Sequence, residues 1–151
     1  MKTTNRKAGA VVVHGSARGF AQEIKSGKHR LVSDEPAEFG GADEGPGPYD
    51  LLLAALGSCT SMTVGLYARR KGWSLEAVRV RLNHSKIHAK DCEDCATEDG
   101  MLDQIECEVE LVGALDEDQR SRLLEIANRC PVHRTLTSEI VIRSNLVDSN
   151  G

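Results

Sequence analysis

The sequence predicts a single α+β domain in which antiparallel sheets surround one long buried central helix. Strand-like segments alternate apolar and polar residues, one uncharged run covers residues 51–68, and strands are grouped apart from helices. A length of 151 residues is enough for one sizeable core, and we expect the ordered core to cover about residues 9–146.

The N-terminal part predicts an antiparallel meander of three short strands. Residues 9–14 contain three consecutive valines, residues 20–24 alternate in polarity, and residues 29–33 follow a short glycine turn. The segment from residue 35 to residue 47 is rich in Gly and Pro, so we expect a long loop before the central helix.

The uncharged run over residues 51–68 predicts a helix that is buried on all sides. Leu and Ala are good helix formers, and Pro48 suits the first turn. The basic residues 69–71 place positive charge at its C-terminal end. The run approaches the length of a membrane span but holds four Ser/Thr, two Gly and one Cys, so we expect a core helix and no membrane association.

The second half predicts two half-buried strands followed by helices. Alternating polarity marks the strands, and acidic residues mark the start of the first helix. In chain order the predicted elements are a strand at 78–82, a loop at 90–101, a strand at 105–111, helices at 116–127 and 131–137, and a last strand at 140–142.

Charge and cysteine content argue against a nucleic-acid-binding protein and against a disulfide-rich secreted protein. A net charge of -4 without clustered Lys and Arg argues against nucleic-acid binding. Residues 1–8 are polar and lack the apolar core of a secretory signal, so we expect a cytoplasmic protein. The odd number of five cysteines then predicts reduced thiols rather than a structural disulfide framework.

Cys59 lies in the middle of the uncharged helix. A free Cys there is most often a small buried hydrophobe, whereas a reactive Cys needs a positive partner or a helix N-terminus. The run 51–68 holds no charge, and Asp50, nine residues earlier, points to the opposite side of the helix. Any activating group must come from another segment, and Arg18 in its glycine-flanked turn is the best candidate.

Cys130 directly precedes Pro131, which suits the first position of a helix. This predicts Cys130 as the N-cap, where the positive end of the helix dipole favours a thiolate. His133 falls in the same first turn. The alternative is a Cys that ends the preceding helix in a packed corner.

Two histidines and two cysteines form a third group, namely His84, His88, Cys92 and Cys95. Zinc prefers four S or N ligands, but on an extended strand His84 and His88 are roughly 13 Å apart. We expect no cofactor, with zinc at His88, Cys92 and Cys95 as one alternative and a dithiol redox pair as the other. Loop cysteines without a role remain the third interpretation, and Cys107 is predicted as core.

Two segments together resemble the OsmC/Ohr family: residues 51–60 around Cys59, and residues 130–136 starting at Cys130. The resemblance covers roughly residues 9–146, and residues 45–62 and 84–95 point to an OsmC-like branch beside the peroxidases. It implies the OsmC-like fold and an intertwined homodimer with two active sites at the subunit interface.

The resemblance also implies thiol-dependent reduction of organic hydroperoxides in oxidative-stress defence, with a dithiol as reductant. Cys59 matches the peroxidatic cysteine, which becomes a sulfenic acid, and Cys130 matches the resolving cysteine that forms a disulfide with it. Arg18 aligns with the family arginine that stabilises the thiolate.

One position departs from the family pattern. The family glutamate follows the Pro before the central helix, and Tyr49 stands there. Asp50 comes next, but it is shorter and is rotated about 100° around the helix. Glu35 is the other main candidate to orient the arginine, with Asp34 and His29 behind it.

A second hypothesis comes from a different class. The same cysteines would then belong to a non-peroxidatic protein that binds a small hydrophobic ligand or a metal ion, or that acts as a thiol redox sensor. Consumption of hydroperoxide that depends on Cys59 separates the two hypotheses.

Overall fold

The computed structural model describes residues 9–149. Their contacts divide them into two compact units, of which the first ends at Leu52 and the second begins at Leu53. The polar segment 1–8, where we expect no secretory signal, lies outside the described residues. The expectation of one domain over residues 1–151 stays a prediction.

The first unit contains the three-stranded antiparallel meander expected from the sequence. Its strands, in the order β1-β2-β3, are β1 (Val11–Gly15), β2 (Gln22–Ser26) and β3 (His29–Ser33). Val13 pairs with Ile24, and Ser26 pairs with His29 across a two-residue turn. Gly27 in that turn has a φ of 59°, which explains why a glycine is needed there.

The loop after β3 is organised around the buried carboxylate of Asp34. Asp34 is 2% exposed and accepts backbone N–H bonds from Glu35 at 2.8 Å, Ala42 at 3.1 Å and Glu44 at 3.2 Å. The Glu44 N–H is the largest cause that lowers the pKa of Asp34 below its ordinary value. The predicted long loop is therefore an ordered turn built on one anion.

Helix α1 (Pro48–Lys71) begins and ends as the sequence indicates. Pro48 occupies the first position, and Asp50 Oδ2 accepts the backbone N–H of Gly47 at 2.9 Å, which satisfies a donor at the helix start. Gly72 follows the last residue with a φ of 68°, a common way for a helix to end.

Burial of α1 differs from the prediction. The buried side chains lie every fourth residue along one face: Leu56, Thr60, Val64 and Ala68. On other faces Met62 is 72% and Leu66 is 40% exposed, so the expectation of a helix buried on all sides is wrong for this chain. A uniformly apolar helix does not reveal from its sequence how many of its faces find a packing partner.

Helix α1 is also long and apolar enough to cross a membrane, judged by length and composition alone. The core helix of a soluble protein passes the same test. Two residues of the buried stripe on α1, Val64 and Ala68, pack against Leu123 and Ala127 of the second unit.

The second unit pairs a long antiparallel hairpin with helices. Its elements besides α1 are β4 (Leu75–His88), β5 (Met101–Gly113), α2 (Glu117–Ala127) and α3 (Pro131–Leu136). Val80 pairs with Val109, and both predicted strands are confirmed but longer. The core cluster consists of Val64, Ala68, Leu123 and Ala127.

The last predicted strand is absent. Residues 140–142 form no strand, and Ile140, Val141 and Ile142 are 51%, 69% and 85% exposed. A strand needs a neighbour for its backbone hydrogen bonds, and within residues 9–149 this segment pairs with none. The prediction is therefore wrong for the chain taken alone.

Candidate functional site

The thiols of Cys59 and Cys130 meet in the second unit. Cys59 lies half-buried on α1, Cys130 is fully buried before α3, and the two side chains lie close enough for Cys130 to raise the pKa of Cys59. The hydroxyl Oγ1 of Thr60 lies 3.6 Å from Cys130 Sγ. The fold thus brings together two cysteines that are far apart in sequence.

Cys130 is the N-cap of α3, as its position before Pro131 predicts. Its Sγ accepts the backbone N–H of His133 at 3.3 Å. The alternative, a cysteine in a packed corner, is also partly right because the residue is 0% exposed. A thiol in this position is held in one orientation and has no direct contact with solvent.

Cys59 lies in a less favourable electrostatic environment. Burial is the largest cause that raises the pKa of the Cys59 thiol, and the neighbouring Cys130 side chain raises it further. The backbone N–H of Val132 and the hydroxyl of Thr63 act in the opposite direction but do not compensate. Within this unit Cys59 is therefore a protonated thiol at neutral pH, and it needs another group to become a nucleophile.

The helix that carries Cys59 approaches the hairpin closely at Gly57. A Cβ on Gly57 would lie 2.7 Å from Leu82 Cδ1 of strand β4, so the Leu82 side chain would have to move to make room for it. On the same buried face, the Thr60 hydroxyl donates to the Leu56 carbonyl oxygen at 2.8 Å. The helix turn just before Cys59 therefore packs closely against the hairpin.

The other predicted site residues belong to the first unit. Arg18 is exposed in the turn between β1 and β2, and its backbone N–H donates to Ser16 Oγ at 3.1 Å. Asp50 uses its carboxylate at the start of α1, and Glu35 lies in the loop built on Asp34. Their roles toward Cys59 stay predictions.

A cavity of about 370 Å³ borders α3 and the hairpin. Its lining residues are Leu56, Asp103, Ile105, Cys107, Asn128, His133, Leu136 and Thr137. The prediction that Cys107 belongs to the core is wrong for the single chain, because Cys107 is exposed and lines this cavity. Partial burial still raises the pKa of its thiol above the ordinary value.

A model of the OsmC-like protein family matches residues 40–145 of the chain. The chain belongs to the OsmC-like protein family. No curated protein matches it. Antiparallel sheets and one long helix in an α+β arrangement are the features that this chain shares with OsmC/Ohr proteins.

Three solved structures illustrate that fold. An organic hydroperoxide resistance protein OsmC from Legionella pneumophila is 22% identical, with 85% of this chain and 88% of that chain covered and a TM-score of 0.61. An OsmC like protein from Mycoplasma pneumoniae is 20% identical, with 87% of this chain and 88% of that chain covered and a TM-score of 0.63. An organic hydroperoxide resistance protein from Elizabethkingia anophelis is 18% identical, with 91% of each chain covered and a TM-score of 0.62. At these identities the likeness shows the fold of the OsmC-like chain.

The four residues considered for zinc do not form a joint site. His84 Nε2 lies 2.8 Å from Asp103 Oδ1, which also accepts from Lys86 Nζ at 3.0 Å. The Lys86 hydrogen bond, followed by that of His84, lowers the pKa of Asp103. Within residues 9–149 no group of three or more His, Cys, Asp or Glu is arranged to hold a metal ion.

The two loop cysteines of this OsmC-like protein are oxidised. Cys92 and Cys95 form a disulfide with their Cα atoms 5.6 Å apart, while His88 ends strand β4. The expectation of reduced thiols is wrong for this pair, because two cysteines three residues apart can meet in a turn in any compartment that allows oxidation. Sulfurs bonded to each other are also not available as thiolate ligands.

Three groups around the thiols were missed at the sequence level: the hydroxyls of Thr60 and Thr63, and the backbone N–H of Val132. Thr63 lies one helical turn after Cys59, and its hydroxyl donates its one hydrogen to the Cys59 carbonyl oxygen at 2.7 Å. The pKa of Cys59 is lowered when that hydrogen turns to the sulfur. That spacing could have identified Thr63. The Val132 N–H carries no sequence signal, because any residue except proline supplies one.

Proposed function

We propose that this OsmC-like protein is a thiol-dependent peroxidase that reduces organic hydroperoxides in oxidative-stress defence. The observation that carries the proposal is the proximity of the Cys59 and Cys130 side chains, which is close enough for one thiol to raise the pKa of the other. The names of two proteins with the same fold, both organic hydroperoxide resistance proteins, support it.

Cys59 is the proposed nucleophile. Its thiolate attacks the distal oxygen of the hydroperoxide, the O–O bond breaks, and the leaving alkoxide takes up a proton to give the alcohol. The Cys59 sulfenic acid then condenses with the Cys130 thiol, which gives a disulfide and water. A dithiol reductant returns both cysteines to thiols and leaves as its own disulfide.

Arg18 is the proposed source of the missing positive charge. A guanidinium near Cys59 offsets the burial that raises the pKa of its thiol. Glu35 or Asp50 orients that arginine in the proposal. Asp50 already accepts an N–H at the start of α1, which limits its freedom to turn toward a second partner.

We further propose a cytoplasmic homodimer in which two copies share the active sites. Apolar side chains that are exposed in the single chain support this association, including Met62 at 72% and Ile142 at 85%. Both lie on segments for which burial was expected, the central helix and the last predicted strand.

The test is rapid mixing of reduced protein with one equivalent of cumene hydroperoxide, followed by acid quenching and peptide mass mapping. We expect a Cys59–Cys130 linked peptide that forms at the rate of peroxide consumption. Cys130→Ser should accumulate a sulfenic acid on Cys59 that dimedone traps. Equal peroxide consumption by Cys59→Ser and wild type would exclude the proposal.

The cavity beside α3 favours a second candidate function, binding of a small apolar ligand. Leu56, Ile105 and Leu136 give it apolar walls, and its volume of about 370 Å³ suits a small molecule. Cumyl alcohol, which cannot oxidise a thiol, should then raise the unfolding temperature. Ile105→Phe fills the cavity and should abolish that rise, whereas no rise in the wild type excludes this candidate.

A further inference from the structure

The end of the β4–β5 hairpin carries a redox group that the proposed peroxidase reaction does not use, the Cys92–Cys95 disulfide. We propose that this disulfide is a second redox site, which exchanges reversibly with external dithiols and prefers those without negative charge. Three features of the hairpin end carry the proposal: the small ring, the unequal exposure of the two cysteines, and the charge around them.

The ring that the disulfide closes contributes little to the stability of the hairpin. The two cysteines are only three residues apart, and a small ring removes little entropy from the unfolded chain. The hairpin end is already closed by the Ala89 N–H, which donates to the Gly100 carbonyl oxygen at 2.8 Å. Opening the disulfide therefore leaves the strands paired, as a reversible redox group requires.

The two cysteines differ in how they are held. Cys92 is half-buried, and its backbone N–H donates to the carbonyl oxygen of Ala89, a residue that is 3% exposed. Cys95 follows a turn and is exposed. A nucleophile from solvent thus reaches Cys95 Sγ first, and Cys92 is the leaving group.

Charge around the disulfide selects the attacking thiol. Five acidic residues and one lysine lie between residues 90 and 99: Asp91, Glu93, Asp94, Glu98, Asp99 and Lys90. Their field repels an approaching anion and attracts a cation, most strongly at low ionic strength. A neutral or positively charged dithiol is the class of partner that this loop favours.

The exchange balances without any further reactant. One thiolate of the dithiol attacks Cys95 Sγ, the bond between the protein sulfurs breaks, and Cys92 leaves as a thiolate that takes up a proton. The second thiol of the dithiol then attacks its own sulfur in the mixed disulfide. Cys95 is released as a thiol, and the dithiol leaves as a cyclic disulfide with two electrons and two protons transferred to the protein.

The first experiment measures reversibility in the full chain. Folded protein is equilibrated in mixtures of reduced and oxidised dithiothreitol, quenched in acid and alkylated, and the peptide with Cys92 and Cys95 is quantified by mass. We expect both cysteines to cycle between disulfide and dithiol while the fluorescence of Trp73 stays native. A disulfide that opens only when Trp73 reports unfolding, or thiols that stay free in oxidised buffer, would overturn the proposal.

The second experiment tests charge selection and the site of attack. Cysteamine, 2-mercaptoethanol and 2-mercaptoethanesulfonate are compared after correction for their thiolate fractions. We expect cysteamine to react about three- to tenfold faster than the sulfonate at low salt, with the trapped adduct on Cys95. Equal rates for the three thiols, or an adduct mainly on Cys92, would contradict the proposal.

Two matched pairs of substitutions distinguish the effect of the acidic residues around the disulfide from the effect of the net charge of the protein. Glu93→Gln with Asp94→Asn should remove most of the difference between cysteamine and the sulfonate. Glu108→Gln with Glu110→Gln makes the same change of charge on an exposed face of strand β5 and should leave the difference in place. An equal effect of both pairs would show that the loop acids do not select the thiol.

Discussion

Asp34 and Cys59 are two acidic groups that the fold takes out of water, and their pKa values move in opposite directions. Asp34 accepts three backbone N–H bonds, led by that of Glu44, and its pKa is lowered. For Cys59 burial is the largest influence, and its pKa is raised although the Val132 N–H and the Thr63 hydroxyl reach it. Three N–H donors outweigh burial at Asp34, whereas the two donors at Cys59 do not outweigh burial and the neighbouring Cys130.

The two regions differ in whether they contain all the groups that stabilise their anion. The loop around Asp34 supplies every donor from residues 35 to 44 of its own unit. The second unit gives Cys59 a partner thiol but too little positive potential for a thiolate. A peroxidase built on Cys59 must therefore receive charge from elsewhere, and this is the role that we propose for Arg18.

The largest expected effect comes from removing the partner thiol. In Cys130→Ser the Cys59 sulfenic acid should survive at least about 100-fold longer, because a neighbouring thiol reacts at a high effective concentration. Dimedone trapping after rapid mixing with cumene hydroperoxide measures this lifetime. Cys107→Ser, which also removes a thiol from the second unit, should leave it unchanged. If the Cys59 sulfenic acid lives equally long in Cys130→Ser and in the wild type, Cys130 is not the cysteine that reacts with it.

Asp34→Asn should destabilise the loop whose backbone N–H groups bind the Asp34 carboxylate. A carboxyl with a lowered pKa contributes stability above its unfolded value of about 3.9, and this contribution is lost as pH falls through its folded pKa. The urea midpoint should therefore fall more at pH 7 than at pH 3. Asp43→Asn is the control, since Asn tolerates the φ of 54° at this position. Equal losses at both pH values would contradict the role of the charge.

Thr63→Val should make the surroundings of Cys59 still less favourable for a thiolate. Loss of the hydroxyl, which can turn from the Cys59 carbonyl oxygen to a Cys59 thiolate and lower its pKa, should slow alkylation of Cys59 at neutral pH by about two- to tenfold. Ser58→Ala removes a hydroxyl that also bonds a backbone carbonyl, that of Ala55, but that does not influence the pKa of Cys59, and it should have no such effect. Identical alkylation rates in Thr63→Val and wild type would show that the Thr63 hydroxyl does not stabilise a Cys59 thiolate.

The smallest expected effect is on stability at alkaline pH. A thiol with a raised pKa loses its proton first in the unfolded state, so the reduced protein should become less stable as pH rises above about 8.5. Urea midpoints between pH 7 and pH 10 measure this decline. Cys59→Ala should show a shallower decline, and an unchanged slope would contradict the raised pKa.

Local patterns predicted most of the elements because they depend on the nearest residues. Alternation over 78–82 and 105–111 predicted the two strands of the hairpin, and Pro131 after Cys130 predicted the N-cap. Each of these features is determined within a few residues of chain.

Features that depend on neighbours distant in sequence were predicted less well. The exposure of Met62, the missing strand at 140–142 and the Val132 N–H beside Cys59 all depend on which segment lies opposite. Periodicity and composition hold no information on such contacts.

The most direct test of the missing charge is the pH dependence of Cys59 alkylation by iodoacetamide, followed on its own peptide in wild type and Arg18→Ala. We expect the midpoint in Arg18→Ala to be about one to three pH units higher, the shift that an opposite charge within reach produces. Arg30→Ala removes an exposed arginine paired with Glu23 and should match the wild type. Equal midpoints in wild type and Arg18→Ala would contradict activation of Cys59 by Arg18.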